Sequence, residues 1–267
     1  MLQSFTHWAL VLATPAFLVG SSLAAQTTSP CGGAAFGGFY YGSQNNHPFT
    51  ATVHITAERK LADGNVIRTD ITLHQARDSA GRTRSESAAG CEMDDNGKWI
   101  AQLRVSISDS SARTFETWME STDQPKTAEI THYPVPEPPS KEQIARQYIR
   151  LKTQRAANPV RTEKLGTRMI AGILAEGTRT SRTMPVGQIG NELPIETVEE
   201  LWVSRDIGVM LLRSTDSPLS GRQSTEVTDI TLGEPDAKLF APPADYKVID
   251  TEPKVIRTAA AAQPTSQ

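Results

Sequence analysis

From Phe49 to Tyr133 apolar and polar residues alternate, and this pattern limits the fold more than any other feature of the sequence. Neighbouring side chains of a β-strand point to opposite faces, so an alternation of period two indicates strands with one buried face. In the first run the apolar residues fall on odd positions, namely Phe49, Ala51, Val53, Ile55 and Ala57. The next run keeps the odd positions for Ile67, Ile71 and Leu73. The two runs predict an antiparallel strand pair.

The turn between these runs decides which residues face each other. A two-residue turn at Asp63 and Gly64 is a common hairpin connection. It would move the polar residues of the second strand onto the buried face, because a slip of one residue reverses every side chain. We therefore expect a three-residue loop with Gly64 in the left-handed conformation. The pairs that this register predicts are Val53 with Leu73, Ile55 with Ile71 and Glu58 with Arg68.

A proline-rich stretch, Pro134–Pro139, interrupts the strands and leads into one helix. Ser140 is a suitable N-cap, and Gln143 completes a capping box. An apolar stripe follows at i, i+4 and i+7, formed by Ile144, Tyr148 and Leu151. Because a helix this short needs packing to be stable, we expect residues 140–154 to lie on the concave face of the sheet, with the stripe buried and the basic residues in solvent. Contact of the basic face with an anionic lipid headgroup or an acidic partner is the alternative.

Strand patterns return after Asn158 and Pro159. The predicted strands are Arg161–Arg168, Ile173–Met184, Ile195–Ser204, Ile207–Thr215, Gln223–Leu232 and Tyr246–Ile249. Strands at this spacing with one inserted helix indicate a mainly β fold, with a large antiparallel sheet or an open barrel. We divide this region, residues 49–250, into a first half (49–133), the linker and helix (134–159) and a second half (160–250), all within one domain.

The N-terminal segment has the pattern of a signal peptide. An apolar run over Trp8–Gly20 is followed by small residues, and cleavage is expected after Ala24 or Ala25. The run is too short to span a bilayer, and no later run reaches that length. The sequence thus predicts a signal peptide (1–25), a Gly-rich arm (26–48) and a disordered tail (251–267), in a protein exported to the periplasm or the extracellular space.

Cys31 and Cys91 are the two cysteines of the chain. In an oxidising compartment an even count favours a disulfide, and two separate buried thiols are the alternative. Zinc is not expected, since no pair of closely spaced cysteines or histidines accompanies them. The formal net charge of −3 argues against nucleic acid as a partner.

The second half resembles a known bacterial family. The segments that carry the likeness are 164–179, 199–213 and 227–248, the last closing on Leu239-Phe240, Pro242-Pro243 and Tyr246-Lys-Val248. They resemble the lipoprotein-carrier-like proteins of the envelope, a group that includes LolA and RseB. The first half, with segments 61–64 and 77–84, looks like uncharacterised exported bacterial proteins. The resemblance implies a curved antiparallel sheet, or open half-barrel, wrapped over the helix, with an apolar concave face. Fold likeness alone does not imply an activity.

No catalytic, cofactor or metal site is predicted. His54 and His74 lie on one polar face with Asp70 nearby, and solvated surface histidines are a better interpretation than a metal site. Glu199 and Glu200 point to opposite faces of a strand and cannot act as a glycosidase pair. A Gly-x-Ser-x-Gly motif is absent from the sequence. The candidate apolar groove consists of Trp99, Leu103, Trp202, Ile144, Tyr148 and Leu151, with ordinary core packing as the alternative for the tryptophans.

Three functions are compatible with these patterns. The first is non-enzymatic binding of an apolar or lipidated ligand, or of a protein partner, in the cell envelope. The second is a structural or regulatory interaction module that takes no small ligand, and the third is an unrecognised hydrolase. A pocket of about 300 Å³ or more, lined by Val, Leu, Ile and Trp, would favour an apolar ligand. Converging titratable groups in that pocket would favour an enzyme.

Overall fold

The computed structural model describes Ser29, Cys31 and residues 47–120, 125–135, 138–157 and 160–251. The first half contains six strands: β1 (Phe49–Lys60), β2 (Val66–Arg77), β3 (Thr83–Met93), β4 (Trp99–Asp109), β5 (Thr114–Glu120) and β6 (Thr127–His132). Helix α1 (Lys141–Ala157) follows. The second half contains β7 (Val160–Ile170), β8 (Ile173–Met184), β9 (Ile195–Ser204), β10 (Val209–Ser217), β11 (Gly221–Leu232), a 3-10 helix (Ala237–Phe240) and β12 (Lys247–Thr251).

These strands form a single open sheet in the order β12-β6-β5-β4-β3-β2-β1-β11-β10-β9-β8-β7. The pairing of β1 with β11 joins the two halves, so the first and second halves continue one another across the sheet. The predicted mainly β fold with a large open sheet and one helix is confirmed. One detail differs from the expectation, because β12 pairs with β6 in the parallel direction.

The hairpin between β1 and β2 has the predicted register. Val53 lies opposite Leu73, and Glu58 lies opposite Arg68, with 3.2 Å between the guanidinium Nε and the carboxylate Oε2. Gly64 has a φ of 86°, the left-handed conformation that the three-residue loop requires. The hydrophobic pattern therefore predicted the loop length and the register of this hairpin correctly.

The predicted disulfide between Cys31 and Cys91 is present, with 5.6 Å between the two Cα atoms. Next to it, the N–H of Ser29 donates to the carbonyl of Arg68, and the N–H of Asp70 donates to the carbonyl of Ser29, both at 3.1 Å. These bonds hold Ser29 against β2. The predicted signal peptide, most of the Gly-rich arm and the tail after Thr251 lie outside the described residues.

The buried apolar side chains form two clusters. The larger one joins β1 and β2 to the second half, and its fully buried members include Phe49, Val53, Ile55, Leu73 and Leu211. The smaller one contains Val105, Ile107 and Trp118, and Phe240 of the 3-10 helix packs against it. Burying a side chain of this size contributes about 1.5 to 3 kcal/mol. The sheet thus covers its apolar residues with its own strands and with the 3-10 helix, which was not predicted.

Helix α1 does not pack on the sheet, so the expectation of a docked helix was wrong. The capping box is present, because the N–H of Ser140 donates to Gln143 Oε1 at 2.7 Å and the N–H of Gln143 donates to Ser140 Oγ at 3.2 Å. The apolar stripe, however, is exposed: Ile144 by 53%, Tyr148 by 67% and Leu151 by 45%. The physical reason is that the strands themselves already bury the apolar side of the sheet around Val53 and Leu73. None of the described helices has the length and apolar composition needed to cross a bilayer.

Candidate functional site

The face of the sheet opposite Val53 and Ile55 is rich in charged side chains, and we call it the charged face. On β1 and β2 it carries Glu58, which is paired with Arg68. It also carries His54, whose Nε2 lies 2.8 Å from Asp70 Oδ1. Cross-strand pairs of opposite charge stabilise such a face modestly, by roughly 0.2 to 1 kcal/mol each.

A cleft of about 690 Å³ opens on the charged face over β8 to β11. Its lining is mostly polar and contains both signs of charge. The lining residues of this charged cleft are Arg179, Glu196, Val198, Glu200, Ser214, Asp216, Pro218 and Arg222.

Strand register brings the lining together from four strands. Arg179 on β8 lies opposite Glu200 on β9, and Glu200 lies opposite Ser214 on β10. One row further along, Asp216 on β10 lies opposite Arg222 on β11. Side chains directly opposite each other on one face are within reach of each other, so the cleft floor is a ladder of alternating charges.

Arg179 holds two carboxylates at one side of the cleft. Its Nη2 and Nε lie 2.7 Å and 2.9 Å from Glu200 Oε1, and its Nη1 lies 3.3 Å from Glu163 Oε2. The hydrogen bond and charge of Glu200 raise the pKa of Arg179 above its ordinary value. This guanidinium therefore stays charged at every physiological pH.

At the other side of the cleft Arg222 Nη2 lies 2.8 Å from Asp216 Oδ2. The hydrogen bond to Asp216 raises the pKa of Arg222, and the charge of Glu58 adds to the effect. Both side chains are well exposed, Arg222 by 75% and Asp216 by 55%. Exposed pairs contribute little to stability because solvent screens them, so this pair can exchange its partners with a charged ligand at little cost.

Two arginines of the charged cleft have raised pKa values. Both therefore stay charged and can pair with an anionic group of a ligand. Among the residues that the structure describes, no three His, Cys, Asp or Glu side chains gather into a possible metal site. Glu199 and Glu200 do lie on opposite faces, as expected, because Glu199 pairs with Arg213 and Glu200 with Arg179.

A smaller pocket of about 230 Å³ lies further along the charged face. Thr50, Thr52 and His74 line it together with Arg84. Arg84 Nη1 is held 2.6 Å from Glu86 Oε1, and both side chains are largely buried. With its guanidinium already engaged, and at this volume, the pocket is a weaker binding site than the charged cleft.

The candidate apolar groove is dispersed in the structure. Trp202 belongs to the larger hydrophobic cluster, and Leu103 packs against it. The guanidinium of Arg168 lies 4.1 Å from the ring centroid of Trp202. Trp99 is 53% exposed at the start of β4. Trp99 and the three stripe residues of α1 lie outside both clusters. Contact of these exposed residues with an apolar ligand stays a prediction.

The residues of the charged cleft were not predicted as a site. Alternation within each strand was visible in the sequence and separated Glu199 from Glu200. The register between strands was not visible, because it depends on connections such as residues 185–194 between β8 and β9. Charge alternation gave no signal for the cleft, because charged residues fall on both parities of its strands, as Arg213 and Asp216 do on β10.

No family model and no curated protein matches the chain. Solved structures do match. One is a chain in the structure of the MucA/MucB complex from Pseudomonas aeruginosa. Its sequence is 15% identical to that of this chain, and the match covers 77% of this chain and 59% of that one with a TM-score of 0.32. An uncharacterised conserved protein from Thermus thermophilus is 11% identical, with a TM-score of 0.38 over 77% of this chain and 91% of that one.

A putative outer membrane lipoprotein-sorting protein domain from Vibrio parahaemolyticus is 9% identical, with a TM-score of 0.29 over 74% of this chain and 91% of that one. Structures of the LolA and RseB kind, MucB and this domain, are thus among the matches. The chain spans less than two thirds of the length of MucB. Because the TM-scores are low, these matches carry no argument about the site or its ligand.

Proposed function

We propose that this chain is an exported, non-enzymatic binding protein of the cell envelope, and that its charged cleft holds a charged segment of a protein partner. The observation that carries the proposal is the lining of the cleft: two arginines and three carboxylates, on four adjacent strands, around about 690 Å³. This volume lies within the range of ligand sites.

The polar and charged lining of the cleft favours one of the three functions considered above, the binding of a protein partner. An apolar or lipidated ligand would need apolar walls, and Val198 and Pro218 are the apolar residues of the cleft lining. The apolar side of the sheet is occupied by fully buried side chains such as Phe49 and Leu73. A polypeptide segment with charges of both signs fits instead, because it can replace the exposed pair of Asp216 and Arg222 without leaving a charge unpaired.

Two further observations support the proposal. The disulfide between Cys31 and Cys91 is typical of proteins that fold in an oxidising compartment, which supports export to the periplasm or the extracellular space. The pKa values of Arg179 and Arg222 are raised, so both guanidinium groups are available as charges for an anionic group of the partner.

Site-specific photo-crosslinking in the expressing cell tests this function. Ser214 lies in the cleft, and its neighbour Thr215 lies on the opposite face and is buried to a similar degree, so it is a matched control. We expect a photoreactive residue at position 214 to give a discrete protein adduct that position 215 does not give. The adduct should disappear in an Arg222→Glu variant and weaken as salt is raised.

Other outcomes would contradict the proposal. Equal adducts at positions 214 and 215, or none at position 214, would show that the cleft holds no partner. Native mass spectrometry of the protein purified from its own envelope provides a second measurement. A stoichiometric co-purifying lipid would favour the apolar ligand of the candidate groove over the protein partner.

A further inference from the structure

Helix α1 presents an apolar stripe and a high positive charge to solvent at the same time. Its 17 residues extend for about 25 Å at 1.5 Å per residue. The described side chains of the helix are exposed throughout, including those of Ile144, Tyr148, Ile149 and Leu151. An isolated helix of this length is only marginally stable in water, so a surface that receives the stripe would also stabilise the helix.

The charge of the helix opposes that of the whole chain. Residues 141–157 contain five basic residues and one acidic residue, a net charge of +4, whereas the full chain has a formal net charge of −3. The basic residues are Lys141, Arg146, Arg150, Lys152 and Arg155. We propose that α1 is a membrane-surface element that binds anionic phospholipid headgroups, with its stripe inserted at the interface.

The arrangement around the helix axis favours a lipid surface over a groove in an acidic protein. With about 100° of rotation per residue, Ile144, Tyr148 and Leu151 fall within an arc of about 60°. Lys141 and Lys152 lie beside this arc, where long side chains can reach headgroups while their aliphatic stems stay apolar.

Arg146 and Arg150 lie on the other side of the helix. A protein groove that enclosed the helix would have to desolvate these guanidinium groups, at a high cost for each unpaired charge. A helix lying in the plane of a membrane interface leaves them hydrated and still attracted to the negative surface. The aromatic ring of Tyr148, two thirds exposed, belongs to the residue types that are enriched at this depth.

The position of α1 in the chain allows it to reach a surface. It follows the connection that contains Pro134, Pro138 and Pro139, and it precedes β7 at one edge of the sheet. Prolines stiffen such a connection. Tyr133 and Val135, also exposed, add apolar surface just before the helix. The charged cleft lies on β8 to β11 and shares no residue with α1, so each site can be tested without altering the other.

Vesicle sedimentation with the exported form of the protein tests the inference. We expect binding to vesicles of phosphatidylglycerol and phosphatidylethanolamine but not to vesicles of phosphatidylcholine. Each basic residue near an anionic surface strengthens binding about fivefold. The double variant Arg146→Gln, Arg150→Gln should therefore bind roughly 20-fold more weakly, and Arg59→Gln, Lys60→Gln, at exposed positions of β1, should bind like the parent.

A second pair of variants tests the stripe. Tyr148→Ala with Leu151→Ala keeps the helix propensity and the charge but removes apolar surface, and it should weaken vesicle binding by at least about tenfold. Leu193→Ala, at another exposed position, is the control and should change nothing. Circular dichroism should show an unchanged strand signal and thermal midpoint for all variants, because α1 is not docked on the sheet.

Three results would overturn the inference. They are equal binding to anionic and neutral vesicles, no binding to either, and parental binding by the Arg146→Gln, Arg150→Gln variant. If the chain bound an acidic protein in an α1-dependent manner while ignoring vesicles, the occupant would be a protein and the lipid assignment would be wrong.

Discussion

Gly177 lies directly under the ring of Trp202, and adding one methyl group there tests how tightly this part of the core is packed. A Cβ atom at position 177 would stand 2.6 Å from Cη2 and Cζ3 of the indole, closer than real contacts allow. The ring has little room to retreat, because the guanidinium of Arg168 lies 4.1 Å from its centroid. Trp202 itself is only 7% exposed.

Two opposing effects determine how much Gly177→Ala changes the free energy of unfolding. Overpacking a filled core costs about 1 to 3 kcal/mol, and replacing a strand glycine by alanine recovers about 0.5 to 1 kcal/mol of backbone entropy. We expect a net loss of about 1 to 2 kcal/mol in the free energy of unfolding. For a domain of this size, the thermal midpoint should fall by roughly 2 to 8 °C.

A double-mutant cycle identifies the cause. Trp202→Phe removes the ring atoms that clash and gives up no indole hydrogen bond, because Nε1 is buried without a partner among the described residues. Gly177→Ala should then cost at least about 1 kcal/mol less in the Trp202→Phe background. Gly90→Ala is the control, since its new Cβ would meet the flexible end of Gln102. A neutral Gly177→Ala, or an equal cost in both backgrounds, would refute the packing argument.

Three other changes have definite expected outcomes. Reducing the disulfide, which closes a loop with a sequence separation of 60, should lower the free energy of unfolding by about 4 kcal/mol, as measured in urea with and without reductant. Leu151→Ala and Lys152→Ala should each change the free energy of unfolding by less than about 0.5 kcal/mol, as measured by thermal denaturation. A large effect of Leu151→Ala alone would mean that α1 is docked. Burial raises the pKa of Glu116, so its charged form opposes folding, and stability declines as pH rises from the ordinary glutamate pKa through the raised value. Glu116→Gln should raise the thermal midpoint at pH 7 and leave it unchanged near pH 4, whereas equal shifts at both pH values would contradict this assignment.

The strands and one hairpin register were predictable because they depend on local rules. The alternation of apolar and polar residues predicted the first and last residues of β8 and β9, and the structure has the same bounds, Ile173–Met184 and Ile195–Ser204. The β1–β2 register followed because only one loop length buries Val53 and Leu73 together. In both cases the decisive information lies within about a dozen neighbouring residues, and burial of one face allows no slip.

The packing of α1 and the charged cleft were not predictable by the same reasoning. The helix has a good cap and an apolar stripe, but whether it docks depends on how much of the sheet other segments already cover. Here the apolar face around Val53 and Leu73 is already covered by residues of the second half such as Leu211. The charged cleft depends on the registers of three successive strand pairs, and an error in one of the intervening turns would move Arg222 away from Asp216.

The strand order explains why a mainly β chain of this kind can leave its helix free. Adjacent strands in a sheet are rotated by about 20° to 25° on average, so a sheet of twelve strands cannot remain flat. Ala101 and Leu103 on β4 pack against the same cluster as Leu165 on β7, although seven strands separate β4 from β7 in the sheet. The sheet therefore bends enough to bring strands of its two halves into one cluster. On the face opposite Val53, buried residues such as Val105 and Trp118 pack with Phe240, whereas charged residues of both signs lie over β8 to β11. The surfaces left open for the partners that we propose are therefore the charged cleft and the basic helix.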